Sequence, residues 1–156
     1  ITDEGTCETY VAPLDIRLTE ALHIDGEPED KTVDTVVQPD IVVFCNEELL
    51  DERGGHGPPD IAVEILSSPT GYKDITYKLS LYERHGVGEY WVVNGEAGFV
   101  MLYRLSAEGS YEKPDYYRLG ESLRSEVLGG AEIALKRFIP EAKKAKKAKK
   151  AKKTPQ

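Results

Sequence analysis

Apolar residues in this 156-residue chain alternate, run together or recur at helical spacing in separate stretches, and those stretches predict its elements. In VAPLDIRL, Val11 to Leu18, the residues Val11, Leu14, Ile16 and Leu18 fall mostly on alternate positions, which predicts a strand with Pro13 near its start. His23 to Thr35 has no apolar period and carries Asp25, Gly26, Glu27, Pro28, Glu29 and Asp30, as an acidic loop would. TVVQPDIVVFC, Thr35 to Cys45, is β-branched and apolar except at Gln38, Pro39 and Asp40, so a buried strand is expected after the proline, with Asp40 at its beginning. Glu47 to Asp51 has room for one helical turn, and GGHGPP reads as loop. DIAVEIL, Asp60 to Leu66, is nearly continuous in apolar residues, the pattern of a strand covered on both faces. Ile75, Leu79 and Tyr82 then predict a helix over Asp74 to His85 that Gly86 stops. EYWVV and FVMLYRL, flanking NGEAG, predict a hairpin, and Tyr116 to Leu119 and Ile133 to Phe138 are peripheral closing segments. Strands, one helix and a hairpin in this order predict an α+β fold, a mixed sheet with helical cover.

Composition narrows the class. With 40% hydrophobic and 31% charged residues the chain has enough apolar material for one core, so a single domain over residues 1–141 is expected, followed by a tail over 142–156. No window approaches the ~18 consecutive apolar residues of a membrane helix, and Ile1 to Thr9 lacks a signal-peptide pattern, so the expectation is a soluble, cytoplasmic protein. Cys7 and Cys45 form no CxxC pair and predict two reduced thiols. The net charge of −8 hides an asymmetry: Lys143, Lys144, Lys146, Lys147, Lys149, Lys150, Lys152 and Lys153 all lie in the tail. The remainder holds 12 basic against 28 acidic residues, too acidic to act as a general DNA-binding surface.

Two carboxylates break otherwise apolar runs on successive predicted strands, Asp40 and Glu64. On neighbouring strands they would converge at one end of the sheet, and such a pair suits Mg²⁺, which prefers oxygen ligands and commonly takes one or two carboxylates from a protein. The structural alternative is that Asp40 caps a turn after Pro39 while Glu64 meets an arginine at a sheet edge. On the following helix Asp74, Lys78 and Tyr82 share one face at i, i+4 steps, where Lys78 would stabilise charge on a phosphate or else simply pair with Asp74 at the surface. His56 and His85 read as loop and helix-end residues, and Tyr90, Trp91 and Tyr82 as core aromatics rather than base-stacking platforms. No GxSxG, P-loop or GxGxxG is present, so no nucleotide cofactor is expected.

VQPDIVVFC, GPPDIAVEILS, the Asp74, Lys78, Tyr82 spacing and HGVGEYWVV, in that order, resemble the Uma family of restriction endonucleases, whose fold belongs to the PD-(D/E)xK nuclease superfamily. The resemblance extends from about Val11 to about Phe138. It implies a restriction-endonuclease-like mixed β-sheet flanked by helices and a Mg²⁺-dependent endonuclease acting on DNA, with Mn²⁺ as a substitute. Asp40 and Glu64 then take the metal-binding positions, and Asp60 is a weaker third carboxylate. The lysine expected two residues after Glu64 is Leu66 here, which moves that role to Lys78, with Lys73 as second choice and Asp74 and Tyr82 as supporting residues. The helical segment that the family carries ahead of VAPLDIRL, with a further acidic residue, has no counterpart in this sequence, which leaves an incomplete site open. By analogy with restriction-type enzymes, cutting both strands calls for a homodimer.

The A-K-K repeats of the tail read as a nucleic-acid tether, with Lys143, Lys144, Lys146, Lys147, Lys149 and Lys150 as its phosphate contacts, or as a solubilising appendage. The competing functional reading is a non-catalytic nuclease-fold binding or scaffold module, whose acidic body would favour a basic protein partner.

Overall fold

A computed structural model describes residues 7–19, 35–66 and 71–138. The strands and helix, in chain order, are β1 (Glu8–Val11), β2 (Ile16–Leu18), β3 (Thr35–Val37), β4 (Ile41–Phe44), β5 (Leu50–Asp51), β6 (Gly54–His56), β7 (Ile61–Ile65), α1 (Gly71–Arg84), β8 (Glu89–Asn94), β9 (Phe99–Arg104), β10 (Asp115–Arg118), β11 (Ser122–Ser125) and β12 (Ala131–Ala134), with 3-10 turns at Glu47–Leu49 and Leu135–Phe138.

The central sheet has the order β1-β4-β7-β8-β9-β10. Only β7 and β8 run parallel in it, and α1 makes the crossover between them. This is the mixed sheet expected. Alternation along its strands sorts the core into two layers: Val42, Phe44, Ala62, Tyr90, Val92 and Met101 face α1, whereas Val43, Ile61, Val63, Trp91, Val93 and Val100 face the opposite way. Cover on both faces is the reason the middle strands read as continuous apolar runs. The second face is closed by the β11–β12 hairpin through Leu123, and by Leu135. On the first face a small sheet of order β3-β2-β6-β5 joins α1, bringing Ile16 and Leu18 into the core.

Several expectations need correction. VAPLDIRL is two strands, because the chain bends at Ala12-Pro13, a cis peptide, and crosses from the central sheet to the small one. GGHGPP is not all loop, since Gly54–His56 forms β6 beside β2. The approach is so close that a Cβ on Gly54 would sit 2.3 Å from the Asp15 carbonyl oxygen, and its φ of 109° suits glycine alone. The cysteines are not two thiols. β1 and β4 pair with Glu8 opposite Phe44, so the next step outward sets Cys7 opposite Cys45, and the two form a disulfide with Cα atoms 4.0 Å apart. Strand β11 had no clear period to announce it. The acidic loop up to residue 34 and the lysine-rich tail lie outside the described residues.

Candidate active site

β4 and β7 are antiparallel neighbours with Ile41 opposite Val63. Extending that register by one residue sets Asp40 opposite Glu64, on the face toward α1, since directly opposed residues in an antiparallel pair project from the same side. The two carboxylates are therefore one strand apart, not a sheet width. Asp40 is held from both sides: its carbonyl oxygen accepts from Ala12 N at 3.0 Å, and its Oδ2 accepts from Ile65 N at 2.6 Å. Both bonds tie Asp40 to neighbouring strands, the first to the chain just after β1 and the second to β7, and neither is a cap on the turn after Pro39.

Glu64 is buried. A desolvated carboxylate needs partners, and α1 supplies them from two successive turns. Tyr82 Oη donates to Oε1 at 2.8 Å, and Lys78 Nζ lies 2.9 Å from Oε2. The partner is thus a lysine from the helix, not an arginine from a sheet edge. Burial pushes the Glu64 pKa above the ordinary glutamate value and the facing Asp40 charge adds to this, outweighing the opposite pull of Lys78 and Tyr82. Tyr82 is fully buried, packs edge-on against Tyr90 with ring centroids 5.0 Å apart, and has its own pKa pushed up by burial and by Glu64. Its hydroxyl bonds the same carboxylate that Lys78 pairs with. Leu66 is partly buried against the α1-side core, and among the described residues Lys78 is the cation beside Glu64. Lys73 and Asp74 belong to α1, but their side chains lie outside the described residues.

A family model described as "Putative restriction endonuclease", Uma2, matches residues 3–136. The chain belongs to this family. Among solved structures, a protein from Anabaena variabilis described as a "putative nuclease belonging to DUF820" shares the Uma2 chain's fold with a TM-score of 0.56 and 18% sequence identity, covering 85% of this chain and 67% of that one. None of the curated proteins matches.

The donors of this Uma2 site suit a hard divalent cation, being carboxylate oxygens on a common face. Among the described residues no group of three or more His, Cys, Asp or Glu gathers as a metal site, and the carboxylates that could hold a cation at this end of the sheet are Asp40 and Glu64. A buried Glu64 facing Asp40 is the electrostatic setting that a cation relieves. Asp60 does not join them. It precedes β7 at the other end of the strand from Glu64, about 13 Å away at strand rise, where its Oδ2 accepts from Cys45 N at 2.6 Å.

The sequence reading missed one buried carboxylate. Glu89, at the start of β8, accepts from Trp91 Nε1, Ser125 Oγ and the backbone N–H groups of Glu126 and Val127 at 2.7 to 3.2 Å. Four donors satisfy the carboxylate and fasten the β11 end to the sheet, a structural task. Only its place directly ahead of YWVV signalled burial. An apolar cavity of about 330 Å³ opens on the second face, lined by Ile41, Val63, Trp91 and Ile133 among others, away from the carboxylate pair. No helix among the described residues is long and apolar enough to cross a membrane.

Proposed function

We propose that this chain is a metal-dependent endonuclease that hydrolyses phosphodiester bonds in DNA, with Asp40 and Glu64 holding Mg²⁺, or Mn²⁺ in its place, and Lys78 as the phosphate-directed cation. The observation that carries the reading is the convergence of two carboxylates and one ammonium at one end of the central sheet, in a chain of a restriction-endonuclease family. When bound, the metal polarises a phosphate oxygen and makes a water nucleophilic near neutral pH. Asp40, fixed by Ile65 N, and Glu64, fixed by Tyr82, present preformed oxygens, so little ordering is left for the moment of reaction. The Lys78 ammonium stabilises the negative charge that grows on the phosphate during in-line attack. Lys73 and Asp74 are assigned supporting places on the same helix.

Electrostatics assigns the tail its part. An acidic body repels the DNA backbone, and Lys143, Lys144, Lys146, Lys147, Lys149 and Lys150 offset this as a salt-sensitive, sequence-independent tether. Two copies acting together would cut both strands, which sedimentation with and without DNA tests.

The deciding experiment is cleavage of supercoiled plasmid with Mn²⁺ or Mg²⁺ by the native protein, Asp40→Ala, Glu64→Ala and a chain lacking the lysine run. Activity that disappears in both carboxylate variants and weakens without the tail supports the reading. A folded protein with no metal-dependent cleavage at all refutes it, and would favour a nuclease-fold binding module.

A further inference from the structure

The ion pair on Glu64 bears on the order of events at the site. Both carboxylate oxygens are engaged, Oε1 by the Tyr82 hydroxyl and Oε2 by the Lys78 ammonium. The two partners differ in kind. Tyr82 is neutral, fully buried and fixed by Tyr90, so it can keep its bond while Glu64 serves a further partner. Lys78 is a full positive charge on a flexible four-carbon stem, with its side chain still 20% exposed to solvent. An ammonium against Oε2 and a divalent cation shared by Glu64 and Asp40 would repel each other at contact distance in a poorly screened setting.

We propose that Lys78 is a resident counter-ion that a divalent cation displaces from Glu64, so that its ammonium is released toward the phosphate only when the metal is loaded. The inference rests on the reading of Asp40 and Glu64 as the metal carboxylates. In the absence of metal, Lys78 spares Glu64 the cost of a buried, unpaired charge. On loading, the incoming cation takes over that neutralisation and Lys78 moves, while Tyr82 continues to orient the carboxylate. Metal affinity of the DNA-free protein is then set by competition with an internal cation and is held below what the carboxylates would otherwise provide. DNA accepts the released ammonium on a phosphate, so metal and DNA binding favour each other reciprocally. Lys78 thereby ties charge delivery to metal occupancy.

The test is Mn²⁺ affinity of the full chain without DNA, read from the paramagnetic resonance signal of free Mn²⁺ at neutral and mildly alkaline pH, for the native protein, Lys78→Met, Tyr82→Phe and Glu64→Gln. Lys78→Met should bind Mn²⁺ about tenfold more tightly or better. Tyr82→Phe, which removes a hydrogen bond but no charge, should change affinity far less, and Glu64→Gln should lose binding. Unchanged or weaker binding by Lys78→Met, with binding still lost in Glu64→Gln, overturns the displacement and leaves the metal site standing. Equal gains in Lys78→Met and Tyr82→Phe also overturn it, since charge would not then be the cause. Native-like binding by Glu64→Gln instead refutes the underlying site. Independently of any variant folding, acylation of Lys78 in the native protein by N-hydroxysuccinimide acetate, located by mass spectrometry, should speed up when Mn²⁺ is added. An unchanged rate at saturating Mn²⁺ rules the displacement out.

Discussion

Replacing Tyr82 by phenylalanine removes one oxygen from the interior and leaves the ring on Tyr90, so its effect isolates a single hydrogen bond to a buried charge. Hydrogen bonds to charged groups contribute about 1.5–3 kcal/mol where neutral ones contribute about 1. With Tyr82 fully buried and Glu64 nearly so, little water can take the hydroxyl's place, and we expect a loss of about 2 kcal/mol at neutral pH. For a chain of this length that lowers Tm by about 6 °C. The loss should depend on pH in a definite direction. Tyr82 draws the Glu64 pKa down, so the variant's Glu64 protonates at higher pH than the native one. The native advantage is therefore fully present while Glu64 is ionised in both proteins and shrinks as pH falls through the Glu64 pKa. Because burial raises that pKa above the ordinary 4.5, the shrinkage should begin at higher pH than for an exposed glutamate. Urea unfolding, followed through the buried Trp91, the chain's single tryptophan, gives both stabilities across the pH range. A cost that stays constant from neutral to acid pH, or one under about 0.5 kcal/mol at neutral pH, would refute the reasoning.

Other perturbations separate structural from catalytic roles. Replacing Cys7 and Cys45 by serine opens a disulfide spanning 38 residues, and chain-entropy arguments put the loss at about 4 kcal/mol, measurable by urea titration with and without a reductant. Glu89→Ala strands the Trp91, Ser125, Glu126 and Val127 donors and should destabilise by about 3 kcal/mol. Hydrogen exchange should show the loss concentrated in β11 and β12, and uniform loosening of the whole domain would count against that role. Asp60→Ala removes the bond that its carboxylate accepts from Cys45 N, so it should cost about 1.5 kcal/mol or more in urea unfolding and leave Mn²⁺ affinity unchanged. A loss of Mn²⁺ binding there would return Asp60 to the site.

The sequence by itself determined the order of the main elements, because a strand covered on both faces must be apolar at nearly every position, as β7 and β8 are, and a helix over one face must repeat as α1 does. It also exposed Asp40 and Glu64, since a carboxylate within an apolar run needs a reason to be there. With Lys78 one helix later, the family resemblance came from the same stretches. What only the tertiary structure decided depends on pairing register, which no local period encodes. Register set Asp40 opposite Glu64 and Cys7 opposite Cys45, turning two isolated carboxylates into a facing pair and two unremarkable cysteines into a cross-link. The crossover of α1 decided that Tyr82 and Lys78 both reach Glu64. The arrival of β11 gave Glu89 three of its four donors, for hydrogen bonds between distant segments form only where the packed sheet brings those segments together.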